Sequence, residues 1–537
     1  MRKIQSRYRI RTTRVSKWLF LLLLFTSCSK NQPSGLERLA IFPASVLIAD
    51  PASEWLRAAV PLVLEADLST SPKLVAPVAG NESAAYEAAA KEAVRTTIED
   101  RNGRYRIQAT FTDLSTQQTN RVVTAEGHGN GLLPVVNELA KQIAPAASVF
   151  STQSDRALKD YATAAQSTNV DDRTRLLSDA VSADPAFGLA YIALLETAAA
   201  KGQQAVQPVL AAAQAHSRSF TQPDRARFQA VVARLTHAPL TDQANSFAAL
   251  LRLTPNNAEA LASLGSARFL QGDSAAGSQM FARALQLSPS NSTFIRQFGQ
   301  GLLETKQFAQ AERILNTIPN DPATVPMLAT CALLEGDAGR ANSIMEKAFA
   351  RRAPNDPYTV LFRGNWLAIS GQIPKAIDYL EHANIPDPAL RPIAFTQITI
   401  WQVMSKDFAA AKKSAAPASQ TPVGAVATLM ADANKPPDEW QREVESSPIG
   451  ASQAGKRLVL GYGYFLSGRY AQAAQIWQDI LNSSGDTDLG ARAMLAASLS
   501  NLGKPDEARK ILVEPFVPEL GDLYAAIRFG EMRKFLH

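Results

Sequence analysis

The sequence predicts a mainly α-helical protein, a solenoid of about ten helical hairpins preceded by a small α/β domain. Three observations predict it. Between Ala258 and Pro289, apolar residues fall at helical spacing on both sides of Gly272-Asp273, so two amphipathic helices meet there in a tight turn. Related patterns of large and small residues return from about residue 154 onward. The stretch 36–150 has another texture, in which short apolar runs alternate with helical ones.

The chain opens on a targeting pattern. Arg2, Lys3, Arg7, Arg9, Arg11, Arg14 and Lys17 form a basic region without an acid, followed by the apolar run Trp18–Phe25. That run is too short for a comfortable membrane span. It ends in Phe25-Thr-Ser-Cys28-Ser29, which resembles a bacterial lipobox with Phe25 where Leu is usual. The resemblance implies a signal peptide over 1–27, lipidation of Cys28 as the mature N-terminus, and a tether over 28–35. Ser29, in place of Asp, implies outer-membrane sorting.

Removing that segment changes the charge argument. Seven of the 55 basic residues lie in 1–27, which leaves 48 against 49 acidic ones. The pI of about 9.2 therefore belongs to the precursor, and no basic cluster remains that would track a nucleic acid. Besides Cys28 there is only Cys331, so no internal disulfide and no cysteine metal cage can form after processing. Cys331 sits on an apolar helical face as a small core residue.

Within 36–150 the expected order is a strand over 39–48, a helix from Ser53 to Leu68 and a short strand over 73–78. An alanine-rich helix over 82–93 follows, then strands over 94–99, 105–112 and 120–126, and a helix over 132–143. This order implies a mixed sheet with helices packed on it. Phe42-Pro43, the stretch from Asp50-Pro51 to Glu54-Trp55-Leu56, and the Asp100–Asp113 hairpin resemble the small domain of TolB-, FlgO- and LpoB-type bacterial envelope proteins. There it is a docking module, so the resemblance implies no catalytic residue. Gly127-His-Gly-Asn-Gly131 matches neither GxGxxG nor a Walker loop and reads as a turn between strand and helix.

In the array, Leu261, Leu264, Gly265, Gly272, Gly277, Phe281, Ala284 and Pro289 resemble the large, small and proline positions of a tetratricopeptide repeat (TPR). The same slots hold Gly299, Ala311 and Leu315, then Ala341 and Met345, then Gly364, Gly371, Ala376 and Leu380. After a decayed unit at Lys406-Asp407, the pattern recovers with Gly461, Tyr464, Gly468, Ala473 and Trp477, and ends with Leu495, Gly503, Ala508 and Leu512. The repeat-packing residues are thus Leu264, Gly265, Gly277, Phe281, Ala284, Gly299, Ala311, Gly461, Ala473 and Trp477. The resulting division is divergent hairpins over 155–256, repeats over 257–421, a Pro-rich irregular insertion over 422–450, and further repeats with a capping helix over 451–537. Gly463 to Tyr470 mimics GxxxxGK[ST], but Arg469-Tyr470 replace the needed residues and a repeat helix replaces the preceding strand.

The resemblance implies a groove, lined by the first helices, that takes extended or helical peptides. By register it includes Glu259, Arg296, Gln300, Asn365, Ile400, Tyr462 and Phe465, while the Lys/Asn set of a carboxylate clamp is missing. Arginine and aromatics dominate contact energies, which puts Arg296, Tyr462 and Phe465 first. His128, His216, His237, His382 and His537 lie far apart, and HExxH and GxSxG are absent. No catalytic residue, metal or cofactor is therefore expected. The reading is a lipid-anchored envelope scaffold that binds envelope proteins or peptides through its groove. The alternatives are a regulator of an envelope enzyme such as a cell-wall synthase, and an outer-membrane assembly or export factor.

Overall fold

A computed structural model describes residues 35–536, apart from 102–103, 128–130, 354–355, 386, 448–452, 485–487 and 512. The expected signal segment and Cys28 lie outside the described residues, as do 128–130 of the glycine-rich turn and Leu512. The chain groups into two compact units, Met1–Gln229 with Ala249–Asn257, and Ala230–Ala248 with Ala258–His537.

The first unit contains a sheet of β1 (Glu37–Ile41), β2 (Ser45–Val46), β3 (Leu74–Val75), β4 (Glu92–Asp100), β5 (Tyr105–Asp113) and β6 (Thr119–Glu126), in the order β3-β1-β4-β5-β6. It is mixed: β1 runs parallel to β3 and β4, and β4-β5-β6 is an antiparallel meander. The single strand expected over 39–48 is two, because Pro43 has no N–H for the ladder. Past that break, the Ala44 N–H donates to the Arg57 carbonyl at 2.9 Å. Helix α1 (Leu56–Leu68) and, further on, α3 (Leu133–Ile143) bury Val60, Leu64, Val136 and Leu139 with Ile107, Ala109 and Phe111 of β5. Between them, the helix expected over 82–93 is only α2 (Glu82–Glu87). Ala89 turns the backbone with φ 52°, and the Lys91 N–H donates to Arg38, so sheet pairing overrides the alanines' helix propensity.

The core of this sheet does not stop at residue 150. Phe150, Leu158, Ala162 and Phe187 belong to the same buried cluster as Ile41 and Leu64. Phe187 meets Phe150 edge-on at 5.7 Å and Tyr161 at 5.0 Å. The helices Asp155–Gln166 and Val170–Ala183 therefore extend this core, the first packing on α1 and the second on the first.

The second unit is a run of helical hairpins, from Ala258–Leu270 with Ser274–Leu287 to Leu489–Asn501 with Pro505–Lys510. One turn chemistry recurs along it. Gly272, Gly336, Gly371, Gly468 and Gly503 all have φ between 75° and 90°, a conformation that suits glycine, and Lys306 and Lys406 hold the same place at 60° and 63°. Asp273, Asp337 and Asp407 then cap the second helices through the N–H groups of Ala276, Arg340 and Ala410.

One packing device also recurs. A Cβ added at Gly265 would come within 2.7 Å of Phe281, at Gly299 within 2.5 Å of Leu315, at Gly364 within 2.7 Å of Leu380, and at Gly461 within 2.6 Å of Trp477. Each partner lies 16 residues on. The missing side chain chiefly admits a large side chain from the second helix. Gly277 does the converse, taking Phe269 of the first helix at 2.8 Å. Leu264, Ala284, Ala311 and Ala473 are buried in the same seams.

Two elements differ from expectation. Residues 422–446 carry the helices Pro422–Ala431 and Pro437–Ser446 rather than an irregular insertion. The prolines stand at first helical positions, where no intrahelical N–H is needed. Trp440 is buried, donates to the Leu429 carbonyl at 2.7 Å and fills the space beside Gly463. After Lys510 the chain does not go straight into a capping helix. It runs without helix or strand through Val513–Glu519 before the helix Ala525–Leu536.

Candidate functional site

The segment 513–524 is the site's organising feature, because it lies against the first helices of several hairpins. Val517 packs on the cluster of Leu315, Met327 and Leu328. Asn365, wholly buried, donates its amide hydrogens to the carbonyls of Leu520 at 2.8 Å and Asp522 at 2.9 Å. Arg492 holds Glu514 at 2.7 Å, Arg528 pairs with Asp522, and Tyr524 stacks on Tyr462 with centroids 4.1 Å apart. Phe516 meets Phe529 of the following helix edge-on. Proline at 515 and 518 favours an extended backbone that offers its carbonyls to such side chains.

The groove candidates divide accordingly. Asn365 and Tyr462 are brought together on the chain's own segment. Tyr462 is 1% exposed, between Tyr524 and Trp477. Phe465 is buried against Tyr470, and Ile400 is fully buried. Arg296 pairs with Asp321, and Gln300 donates to Glu304 at 2.7 Å, so both are engaged within their own neighbourhood. Arg469 donates to the carbonyls of Ala433 and Lys435. Cys331 is buried in Thr324–Leu334, where burial pushes its thiol up to about 12.

Sequence reasoning missed a second polar place, in the first unit. Asp67, in the last turn of α1, is fully buried, and burial pushes its carboxyl up to about 8. A signal was present: Asp67 continues the buried stripe of Leu56, Val60, Val63 and Leu64 at helical spacing. A charge on that stripe is informative.

The hairpins, their turn residues and the 16-residue pairing define the class: a TPR-like helical-repeat protein with an α/β sheet region ahead of the array. No protein-family model and no curated protein matches the sequence. Among solved structures, the chain is similar to the human IFIT1 dimer with m7Gppp-AAAA at 13% identity and a TM-score of 0.30, over 70% of this chain and 83% of that one. It is also similar to the P58(IPK) TPR domain at 14% identity and a TM-score of 0.17, over 54% of this chain and 91% of that one.

Proposed function

We propose that the protein is a non-catalytic adaptor of the bacterial cell envelope, held at a membrane by lipid on Cys28 and docking protein partners on its helical array. The observation that supports docking is the segment 513–524. It lies on the first helices, with Asn365 bonded to two of its backbone carbonyls, so this surface accommodates a chain without helix or strand by contacts that need no particular side chain. Lipid anchoring rests on Arg2 to Cys28 alone. A tether of this kind raises the local concentration of whatever the array holds, which does the work without chemistry.

Two experiments in the native host test the parts separately. Cys28→Ser should move the protein out of the membrane fraction; retention there removes the anchoring. Photocross-linkers placed one at a time at Glu259, Arg296 and Gln300 should trap the same envelope protein from more than one position. Adducts at none of them would sink the docking role.

A further inference from the structure

Neither carboxylate oxygen of Asp67 has a hydrogen-bond partner, yet the side chain lines a cavity of about 30 Å³. The second carboxylate on that cavity is Asp224, nearly buried and close enough to oppose Asp67's ionisation. The hydroxyls around it are already committed. Ser69 donates to the Ala66 carbonyl at 2.6 Å, Thr254 to Leu250 at 3.1 Å, Thr221 to Asp224 Oδ2 at 2.6 Å, and Ser148 to the Asp67 carbonyl at 3.4 Å. Ser151 Oγ accepts the Leu189 N–H at 3.3 Å. Four of these hydroxyls have spent their protons, so they present lone pairs to a cavity that already holds two acids. The cationic side chains nearby are Lys141, which acts on Asp67 across space, and Arg227, which lines the cavity.

A buried acid ringed by acceptors is costly unless a proton or a cation joins it. We propose that Asp67 and Asp224 hold a dehydrated hard cation, Ca²⁺, together with these hydroxyl oxygens. Oxygen is the only donor type on the lining apart from Arg227, which excludes the sulfur and imidazole chemistry of zinc. A cavity of about 30 Å³ suits an ion that has shed most of its water, which Ca²⁺ does more readily than Mg²⁺. Two charged ligands place the affinity in the weak class, with Kd of about 10⁻⁴–10⁻³ M. The ligands come from the end of α1, from the link at 148–151 and from Thr221, Asp224 and Thr254, so the ion would pin α1 to later segments of the first unit.

The test is calorimetric titration and thermal melting of the full chain after chelation. CaCl₂ should titrate one site and raise the melting temperature, with no equal response to MgCl₂ or to NaCl at matched ionic strength. Asp67→Asn should weaken calcium binding by more than about 100-fold, and Asp224→Asn by at least about 10-fold. A folded wild type that gives neither heat nor melting shift at about 10 mM Ca²⁺ overturns the site, as does an Asp67→Asn chain that responds like wild type. An equal response to NaCl overturns the calcium assignment. If Asp67→Asn does not fold, the Asp224→Asn titration decides alone.

Discussion

In the hairpin of Ala258–Leu270 and Ser274–Leu287, Phe281 lies on Gly265; in that of Gln453–Leu466 and Tyr470–Ser484, Trp477 lies on Gly461. The local device is the same, but the surroundings are not. Phe281 stacks on Phe298 of the next hairpin at 5.3 Å and 5°, so the first hairpin is completed by its sequence neighbour. The second is completed by a neighbour and from further away: Trp440 of the preceding helix fills the space beside Gly463, and the distant Tyr524 stacks on Tyr462. The contrast separates two kinds of stability, one written into each repeat and its sequence neighbours and one supplied by a segment that returns to the array.

The sharpest way to break the shared device is to remove its large partner. Phe281→Ala and Trp477→Ala should each cost about 3–5 kcal/mol in urea unfolding, since both leave a buried cavity beside a glycine. Gly461→Ala, which forces a methyl within 2.6 Å of the Trp477 ring, should cost about 1–3 kcal/mol. Asn365→Ala separates the two hairpins instead. It strips the carbonyls of Leu520 and Asp522 of their donor, at about 1–3 kcal/mol. Amide exchange should quicken over 513–536 and stay unchanged over 258–287. Equal quickening of both would mean that the segment supports the whole array. The smallest effect belongs to the turns. Lys306→Gly should stabilise by about 0.5–1 kcal/mol, because φ 60° suits glycine better than lysine. Cys331 serves as a silent reporter: with its thiol pushed up to about 12 and buried, it should resist maleimide in the native chain and react only when Thr324–Leu334 opens.

What was legible in the sequence follows from how near the partners are. A glycine and a large residue 16 positions apart are visible in one repeat frame, and so are turn pairs such as Gly272-Asp273 and Gly336-Asp337. The β4-β5 hairpin was legible for the same reason, since its strands are joined by a short turn. The helices at 422–446 were obscured because proline was read as a breaker, although Pro422 and Pro437 open helices. Tyr462 lies on a first helix, as its repeat frame implied, but its partner Tyr524 lies 62 residues away and no periodicity announces it. Asp67 and Asp224 are further apart still. Only the apolar stripe around Asp67 hinted that this acid faces inward.

The reach of Asn365 to residues 155 and 157 positions later has a consequence for how the array comes apart. A linear stack of repeats melts from its ends in small steps, because each member touches only its neighbours. A bond that spans the stack makes the hairpins between 357 and 510 lose that independence, since unravelling any of them strains the bridge. Cooperativity should therefore be uneven along one continuous solenoid: graded in the frame from 258 to about 290, and closer to all-or-none in the stretch that the segment touches, from Leu315 onward.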